Sequence, residues 1–277
     1  MKYFVNIKDV NDYYQMDSLH PLIDIRKYSD IIPSTPREIE PMIFDFYKIS
    51  FVKNFNGQQY SCTSTKAWEG YQILIHPDIY KKYISEKNIN TFSFFSYNVN
   101  ESLLLTKEEQ NTVCLLMEQA YKEINNSKDD FSIPIVLSYI NTLLVITDRF
   151  YERQFSIRKT MCNQLASNFF KLLKLYYKNT SNFSNKEQPS VVYFADKLNI
   201  TPNYLSDTIR HHSGKSALNI IHDHIIEEAK TMLITSSQTV SEISYILGFE
   251  YPNYFSRLFK KKTTLSPSDF RKSVKSI

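Results

Sequence analysis

The chain has 277 residues, of which 42% are hydrophobic and 14% aromatic, and its formal net charge is +4. This length allows two domains with a core in each, and the apolar content excludes a disordered chain. The three cysteines (Cys62, Cys114 and Cys162) are scattered without metal-ligand spacing, which indicates free thiols in a reducing compartment and predicts no metal site.

We predict no targeting or membrane segment. The N-terminus lacks the basic start and apolar core of a secretory signal. The most apolar stretch, residues 133–147, is interrupted by polar side chains and is too short to cross a bilayer. We therefore expect a cytoplasmic protein without membrane contact.

Residues 1–100 have the pattern of a small β-rich region. Short runs of β-branched and aromatic residues are punctuated by turn signals such as Asn56-Gly57 and Glu69-Gly70. The candidate strands are Leu22–Ile25, Ile43–Val52, Tyr71–His76 and Phe92–Tyr97.

Residues 101–178 have helical periodicity. A first helix begins at a capping box, in which Thr106 and Glu109 satisfy each other's backbone donors. A second helix over residues 131–153 completes an αα-hairpin with it. A third, over residues 155–177, has apolar residues on more than one face and is expected to be buried, with a second subunit as one candidate.

The polar stretch at residues 179–189, which ends in Pro189, is the clearest linker in the chain. We place the domain boundary there. The predicted fold class is therefore α+β, with a β region at 1–100, a helical dimerisation segment at 101–178 and an all-α domain at 190–277.

The all-α domain contains an internal repeat. Residues 202–206 read Pro-Asn-Tyr-Leu-Ser, and residues 252–256 read Pro-Asn-Tyr-Phe-Ser. The residues preceding each copy match at an offset of 49, so the second turn is one residue longer than the first. Each copy predicts a short helix, a tight turn and a second helix, which together form two helix-turn-helix units.

Cap residues delimit these helices. Ser190 and Thr201-Pro202 are N-terminal signals, and Thr239 with Glu242 forms a second capping box. Gly214 and Gly248 follow helices, where a left-handed backbone is favoured. A helix over residues 216–233 connects the units, and such a spacer can hold two recognition helices about 34 Å apart, one turn of B-DNA.

The outward faces of the second helices have DNA-binding chemistry. Asn can bond adenine bidentately and Arg can bond guanine, whereas Lys suits phosphates. Residues 257–275 contain seven Lys or Arg against one acidic residue. Any single one of these side chains could be an ordinary solvated helix residue. The phosphate candidates are Arg210, Lys260, Lys261, Lys262 and Arg271.

Residues 191–271 resemble the AraC-type transcription regulators. The likeness covers the order of the two units, the run Ser241–Phe249 and the terminal Ser266-Pro267…Phe270-Arg271. It implies sequence-specific binding to double-stranded promoter DNA and no enzymatic activity. Carried over by position, the base contacts fall on Asn203, Ser206 and Asp207 in the first unit and on Pro252, Asn253, Tyr254 and Arg257 in the second.

Two positions depart from the family pattern. Asp207 stands where many members have Arg, and a carboxylate there would repel phosphate while still accepting a bond from cytosine N4. Thr264 stands where Gly usually precedes the Ser-Pro step, so that turn is expected to be strained or differently built. The second unit is therefore predicted to be the more typical DNA reader.

The N-terminal half resembles, more loosely, the cupin-like sensing domain of some members. About four or five strand candidates fall short of the eight of a jelly roll, so a reduced sheet is expected. The resemblance implies a homodimer, and contact with RNA polymerase if the protein is an activator. A small-molecule effector is one alternative for the sheet, and a shortened sheet that has lost its pocket and serves only dimerisation is the other. The resemblance does not name the effector or choose between activator and repressor, and it implies no cofactor.

Two other functions are alternatives. An enzyme would need a nucleophile motif, a metal set or a Gly-rich phosphate loop, and the chain has only four Gly. A non-specific architectural protein would bind DNA with a large salt dependence and no sequence preference.

Overall fold

The computed structural model describes seven stretches of the chain: residues 2–31, 42–53, 69–83, 89–126, 129–157, 159–178 and 189–275. Two modules are distinguished by their internal contacts. The N-terminal module comprises Met1–Phe95 and Ser102–Gln154, and the C-terminal module comprises Ser96–Glu101 and Phe155–Ile277. Of the predicted turn signals, Asn56-Gly57 lies outside the described residues. The predicted linker does too, except for Pro189, and its role as the boundary stays a prediction.

Two small sheets lie in the N-terminal module. Their strands are β1 (Lys2–Phe4), β2 (Ile23–Lys27), β3 (Met42–Phe44), β4 (Tyr47–Val52) and β5 (Gly70–Ile75). β1 and β3 pair in parallel, while β5 lies between β2 and β4 in an antiparallel sheet. The predictions for β2 and β5 are confirmed.

The single strand predicted over Ile43–Val52 is instead two strands. Between them, Asp45 N–H donates to the Phe4 carbonyl at 3.1 Å, and the chain turns. Phe46 is buried in a separate cluster with Phe4 and Ile7. Burial of this one aromatic ring therefore ends the first strand.

The strand predicted over Phe92–Tyr97 is wrong. Three 3₁₀ turns, Ile89–Thr91, Ser93–Ser96 and Val99–Glu101, occupy this region. In a strand, successive side chains point to opposite faces. Here the consecutive rings of Phe94 and Phe95 contact each other at 5.1 Å, and Phe94 stacks on Tyr151 at 5.6 Å. Packing between these aromatic rings therefore favours the 3₁₀ turns over an extended strand.

Short helices were missed in the N-terminal module. They are α1 (Ile7–Tyr14), α2 (Tyr28–Ile31) and α3 (Asp78–Tyr83). Asn6 caps α1, accepting a hydrogen bond from Asp9 N–H at 2.9 Å. This cap and the apolar pair Ile7 and Val10 were the available signals.

Two long helices cover the larger sheet. α4 spans Lys107–Asn126 and α5 spans Ser132–Ile157. The predicted capping box forms, because Thr106 N–H donates to Glu109 Oε2 at 2.8 Å and Glu109 N–H donates to Thr106 Oγ1 at 3.3 Å. Side chains of both helices share one core with the sheet, including Ile25, Ile73, Val113, Met117, Leu137 and Ile140.

Among the residues the structure describes, α5 is a helix long and apolar enough to cross a membrane. It has 26 residues and a mean hydropathy of 1.3 over an 18-residue window, 33% of which is buried. It is longer than the apolar stretch recognised in the sequence. A core helix of a soluble protein has the same features, and Val136, Leu137 and Ile140 of α5 are core residues.

In the described part of the C-terminal module, the end of α5 is followed by seven further helices. They are α6 (Lys159–Lys178), α7 (Val191–Lys197), α8 (Pro202–Ser213), α9 (Ala217–Thr235), α10 (Val240–Ile246), α11 (Pro252–Thr263) and α12 (Pro267–Lys275). The third helix predicted over residues 155–177 is instead the end of α5 followed by α6. Its buried face packs within the same chain, since Phe169 and Tyr176 join the core around Phe194.

Candidate nucleic-acid interface

The repeat in the sequence is also a repeat of the backbone. In the first turn, between α7 and α8, Ile200 N–H donates to the Ala195 carbonyl at 3.1 Å. In the second, between α10 and α11, Phe249 N–H donates to the Ser244 carbonyl at 3.0 Å. Asn199 and Gly248 are the left-handed residues of the two turns, with φ of 54° and 87°. All three pairs are 49 residues apart, so the two predicted units are present.

The two recognition helices, α8 and α11, begin differently. Thr201 caps α8 through its hydroxyl, which accepts a hydrogen bond from Tyr204 N–H at 3.2 Å. Tyr251 stands at the equivalent place in α11 and makes no side-chain cap bond. Tyr lacks the short side-chain oxygen with which Ser, Thr, Asp or Asn caps a helix, which explains the difference.

The two recognition helices end alike. Gly214 N–H donates to the Arg210 carbonyl and Thr264 N–H to the Lys260 carbonyl, each at 2.8 Å. Both cap residues are left-handed, with φ of 72° at Gly214 and 69° at Thr264. Thr264 therefore holds a conformation that a β-branched residue adopts at a cost.

The other predicted helix signals form. Ser190 accepts a hydrogen bond from Tyr193 N–H at 3.1 Å. Thr239 N–H donates to Glu242 Oε2 at 2.6 Å, and this bond, with that of the Thr239 hydroxyl, lowers the pKa of Glu242. Gly248 takes up its left-handed backbone in the turn that follows α10.

The connecting helix α9 holds both units together. Its buried side chains, Ile221, Ile225, Ile226, Ala229 and Leu233, lie in the shared core. On its surface, Asp223 accepts hydrogen bonds from Lys215 at 2.8 Å and from Lys262 at 2.7 Å. These two ammonium groups lower the pKa of Asp223. Lys262, a predicted phosphate contact, is thus paired with a carboxylate of the same module.

The second recognition helix presents the predicted contacts to solvent. Phe255 and Phe259 are fully buried beneath it. The predicted contacts Asn253, Tyr254, Arg257, Lys260 and Lys261 are exposed, and Pro252 is half-buried at the first helical position. Tyr254 is 61% exposed, and its ring centroid lies 5.9 Å from that of Tyr251.

The first recognition helix presents its predicted contacts to a segment of the same module. Asn203 Nδ2 donates to Ser96 Oγ at 2.5 Å, and Asp207 Oδ2 accepts from the Tyr97 hydroxyl at 2.6 Å. Asp207 also pairs with Arg210 at 3.1 Å. Leu205 and Ile209 are buried beneath α8, and Ser206 is half-buried.

The hydrogen bond of Arg271 is made to the connecting helix and not to a recognition helix. Its Nε donates to the carbonyl of Leu233 at 3.1 Å and so ties α12 to the last turn of α9. The side chains that sequence reasoning missed are Ser96, Tyr97, Glu101 and Asp223. Ser96, Tyr97 and Glu101 bond to residues of the first unit that lie 100 to 110 positions away in sequence, and Asp223 bonds to Lys262, 39 positions away. Separations of this size are beyond the reach of any local pattern.

Comparison with known sequences identifies the same domain. The family described as "Helix-turn-helix domain" matches residues 194–273. The arabinose operon regulatory protein of Salmonella typhimurium is 38% identical over 77 residues, which are 28% of this chain and 27% of that protein. The "Uncharacterized HTH-type transcriptional regulator YijO" of Escherichia coli is 39% identical over 83 residues, 30% of this chain and 29% of that protein. The chain thus spans less than a third of the length of these relatives.

Two solved structures are also similar to this part of the chain. The C-terminal domain of AraT, a response regulator from Geobacillus stearothermophilus, is 26% identical with a TM-score of 0.33, and the match covers 38% of this chain and 84% of that one. The DNA-binding domain of AdpA, solved in complex with a target DNA, is 20% identical with a TM-score of 0.35, covering 40% and 93%. From the sequence matches, residues 194–273 are a helix-turn-helix domain, and the chain is similar over 77 residues to the arabinose operon regulatory protein.

Proposed function

We propose that the chain is a sequence-specific transcription regulator of the AraC type, which binds promoter DNA with α8 and α11 in successive major grooves. The observation that supports this most directly is the repeated turn, with matching hydrogen bonds at Ile200 and Phe249. Two equivalent recognition helices on one connecting helix suit a duplex, because adjacent major grooves repeat every helical turn, about 34 Å.

The proposed base contacts lie in the N-terminal halves of the two recognition helices. In α11 they are Pro252, Asn253, Tyr254 and Arg257; in α8 they are Asn203, Ser206 and Asp207. A bidentate Asn or Arg contact supplies about 1–3 kcal/mol of discrimination. Exposure of Asn253 and Arg257 supports the assignment for the second unit.

The proposed phosphate contacts fall into two groups. Lys260 and Lys261 are exposed and can meet the DNA backbone directly, whereas Arg210 is exposed but paired with Asp207. Lys262 must first leave Asp223, and Arg271 must leave the Leu233 carbonyl, so we expect both to contribute less. A single phosphate contact adds about 0.9 to the slope of binding against salt.

For the rest of the protein we propose a reduced cupin-like sensing region and a helical segment that forms a homodimer. The three-stranded sheet under α4 and α5 is compatible with the former. We further propose a cytoplasmic protein that performs no catalysis, takes no cofactor, responds to a small-molecule effector and contacts RNA polymerase if it activates. The family match covers residues 194–273, and these further proposals concern the rest of the chain.

The test is selection of duplexes from a random-sequence pool by the full chain, followed by footprinting of the enriched sequence. We expect protection of two major grooves one turn apart and binding that survives excess random competitor at moderate salt. Equal affinity for enriched and random duplexes, with a steep salt dependence, would instead identify a non-specific architectural protein.

A further inference from the structure

A six-residue segment, Ser96–Glu101, belongs to the C-terminal module although its neighbours in sequence on both sides belong to the other module. We call it the cover segment. Its anchor is Glu101, which is 2% exposed. The Glu101 carboxylate accepts hydrogen bonds from the backbone N–H and the hydroxyl of Thr201, both at 2.7 Å. Thr201 is the N-cap of α8.

The position of Glu101 is one that suits an anion. Helix N-termini present unpaired N–H groups and a partial positive charge, and for this reason they bind carboxylates and phosphates. DNA-binding helices commonly place a backbone phosphate at such an end. Glu101 also accepts from Asn98 N–H at 2.7 Å, which fixes the fold of the segment itself.

The start of the cover segment lies on the side chains proposed to contact bases. Ser96 accepts from Asn203 at 2.5 Å, and the Tyr97 hydroxyl donates to Asp207 at 2.6 Å. The Tyr97 ring also meets Tyr204 edge-on, with centroids 5.2 Å apart and planes at 89°. The contact is therefore both polar and apolar, and it covers the N-terminal half of α8.

This contact and a DNA contact exclude each other. A base contact requires the Asn203 amide and the Asp207 carboxylate to lie about 3 Å from base edges at the floor of the major groove. That groove is about 12 Å wide and admits one helix, with no space for a second layer of polypeptide. At the matching positions in α11, Tyr254 is 61% exposed where Tyr204 is half-buried, while Asn203 and Asn253 are both exposed.

We propose that the cover segment is a built-in competitor of DNA for the first recognition helix, so that α8 is closed while Ser96, Tyr97 and Glu101 are bound to it. The proposal rests on the proposed function, since it needs α8 to contact DNA. Full affinity then requires release of the segment. The apparent dissociation constant exceeds the intrinsic one by the inverse of the open fraction.

The test uses two conservative changes in the full chain. Tyr97→Phe removes the hydroxyl that donates to Asp207 and keeps the ring, and Ser96→Ala removes the acceptor for Asn203. Tyr139→Phe, in α5, is the matched control because it makes the same chemical change in the N-terminal module. Thermal unfolding of each variant verifies folding, and fluorescence anisotropy on the duplex enriched by the full wild-type chain measures affinity.

We expect each change to tighten binding about 2- to 10-fold, the range that corresponds to one side-chain hydrogen bond. The double variant should bind more tightly than either single one, with stronger footprint protection over one of the two grooves. Tyr139→Phe should bind like wild type.

The duplex is one that wild type prefers over competitor. If folded Tyr97→Phe and Ser96→Ala bind it as wild type does or more weakly, the proposed competition by the cover segment is wrong, while the proposed function stands. If neither the wild-type chain nor any variant prefers a duplex over random competitor, the proposed function is wrong, and this inference is wrong with it. The two failures are therefore distinguishable in one experiment.

Discussion

Replacing Thr264 by Gly should stabilise the C-terminal module. Thr264 has φ of 69° and ψ of −18°, within the left-handed region, and it closes α11 through its N–H. A residue with a Cβ pays about 1–2 kcal/mol for this backbone relative to Gly. Gly loses about 0.5–1 kcal/mol more conformational entropy on folding, so the net gain expected from Thr264→Gly is about 0.5–1 kcal/mol.

The chain contains the matched control at the equivalent position. Gly214 has φ of 72° and closes α8 with the same hydrogen bond. A Cβ built there meets nothing within 4 Å among the described atoms, so a substitution acts through the backbone alone. Gly214→Thr should therefore destabilise by about the amount that Thr264→Gly stabilises.

The assay is urea unfolding of the full chain followed by circular dichroism, with both variants and their double mutant. We expect the two variants to shift the free energy of unfolding in opposite directions by similar amounts. The two shifts should nearly cancel in the double mutant because the two sites are independent. The left-handed strain argument is refuted if Thr264→Gly lowers stability while Gly214→Thr leaves it unchanged. DNA affinity should not fall, because position 264 follows the last turn of α11.

Two further predictions concern the basic face. Arg257→Ala should relax the base preference at one position of the enriched duplex and cost about 1–3 kcal/mol of binding free energy. Lys261→Ala should instead weaken binding to all duplexes alike and reduce the salt slope by about 1. Identical effects of the two variants in binding titrations over a series of salt concentrations would contradict the assignment. Asp223→Asn should raise DNA affinity by freeing Lys262, beyond the effect of Glu227→Gln, which removes one negative charge from the same helix. Because the pKa of Asp223 is lowered in the folded state, its ion pairs stabilise above the ordinary carboxyl pKa and are lost as pH falls through the lowered value. The small stability deficit of Asp223→Asn at pH 7, about 0–1 kcal/mol for a partly exposed ion pair, should therefore shrink as the pH falls below the ordinary carboxyl pKa, as thermal melts at pH 7 and pH 3 would reveal.

Local signals predicted the DNA-binding half well. The caps at Thr201 and Thr239 and the turn at Gly248 depend on residues within a few positions of each other, and such short-range chemistry is visible in a sequence. The aromatic run before residue 97 was mistaken for a strand because β-propensity ignores the partner ring on Tyr151.

The electrostatic surface of the domain could not be predicted in the same way. From the sequence, Lys262 is a candidate phosphate contact, and Asp207 is a candidate base contact that departs from the family pattern. In the structure, one is paired with Asp223 and the other with Tyr97, at separations of 39 and 110 residues. Charge counts along the chain describe how much positive charge is present, and only the tertiary structure decides how much of it is free to meet a phosphate.

The inequality of the two recognition helices has a consequence for how the chain would engage a duplex. α11 carries exposed Arg257 and Lys260 at its surface, whereas α8 carries Asp207 and is in contact with the cover segment. Encounter with DNA should therefore start at α11, because positive charge steers association. Once α11 is bound, the connecting helix keeps α8 beside the adjacent groove, and DNA then competes with the cover segment at a high effective concentration. A ligand or partner that holds the segment on α8 would leave α11 bound alone, with shorter protection and weaker affinity, and one that draws it away would complete the two-groove contact.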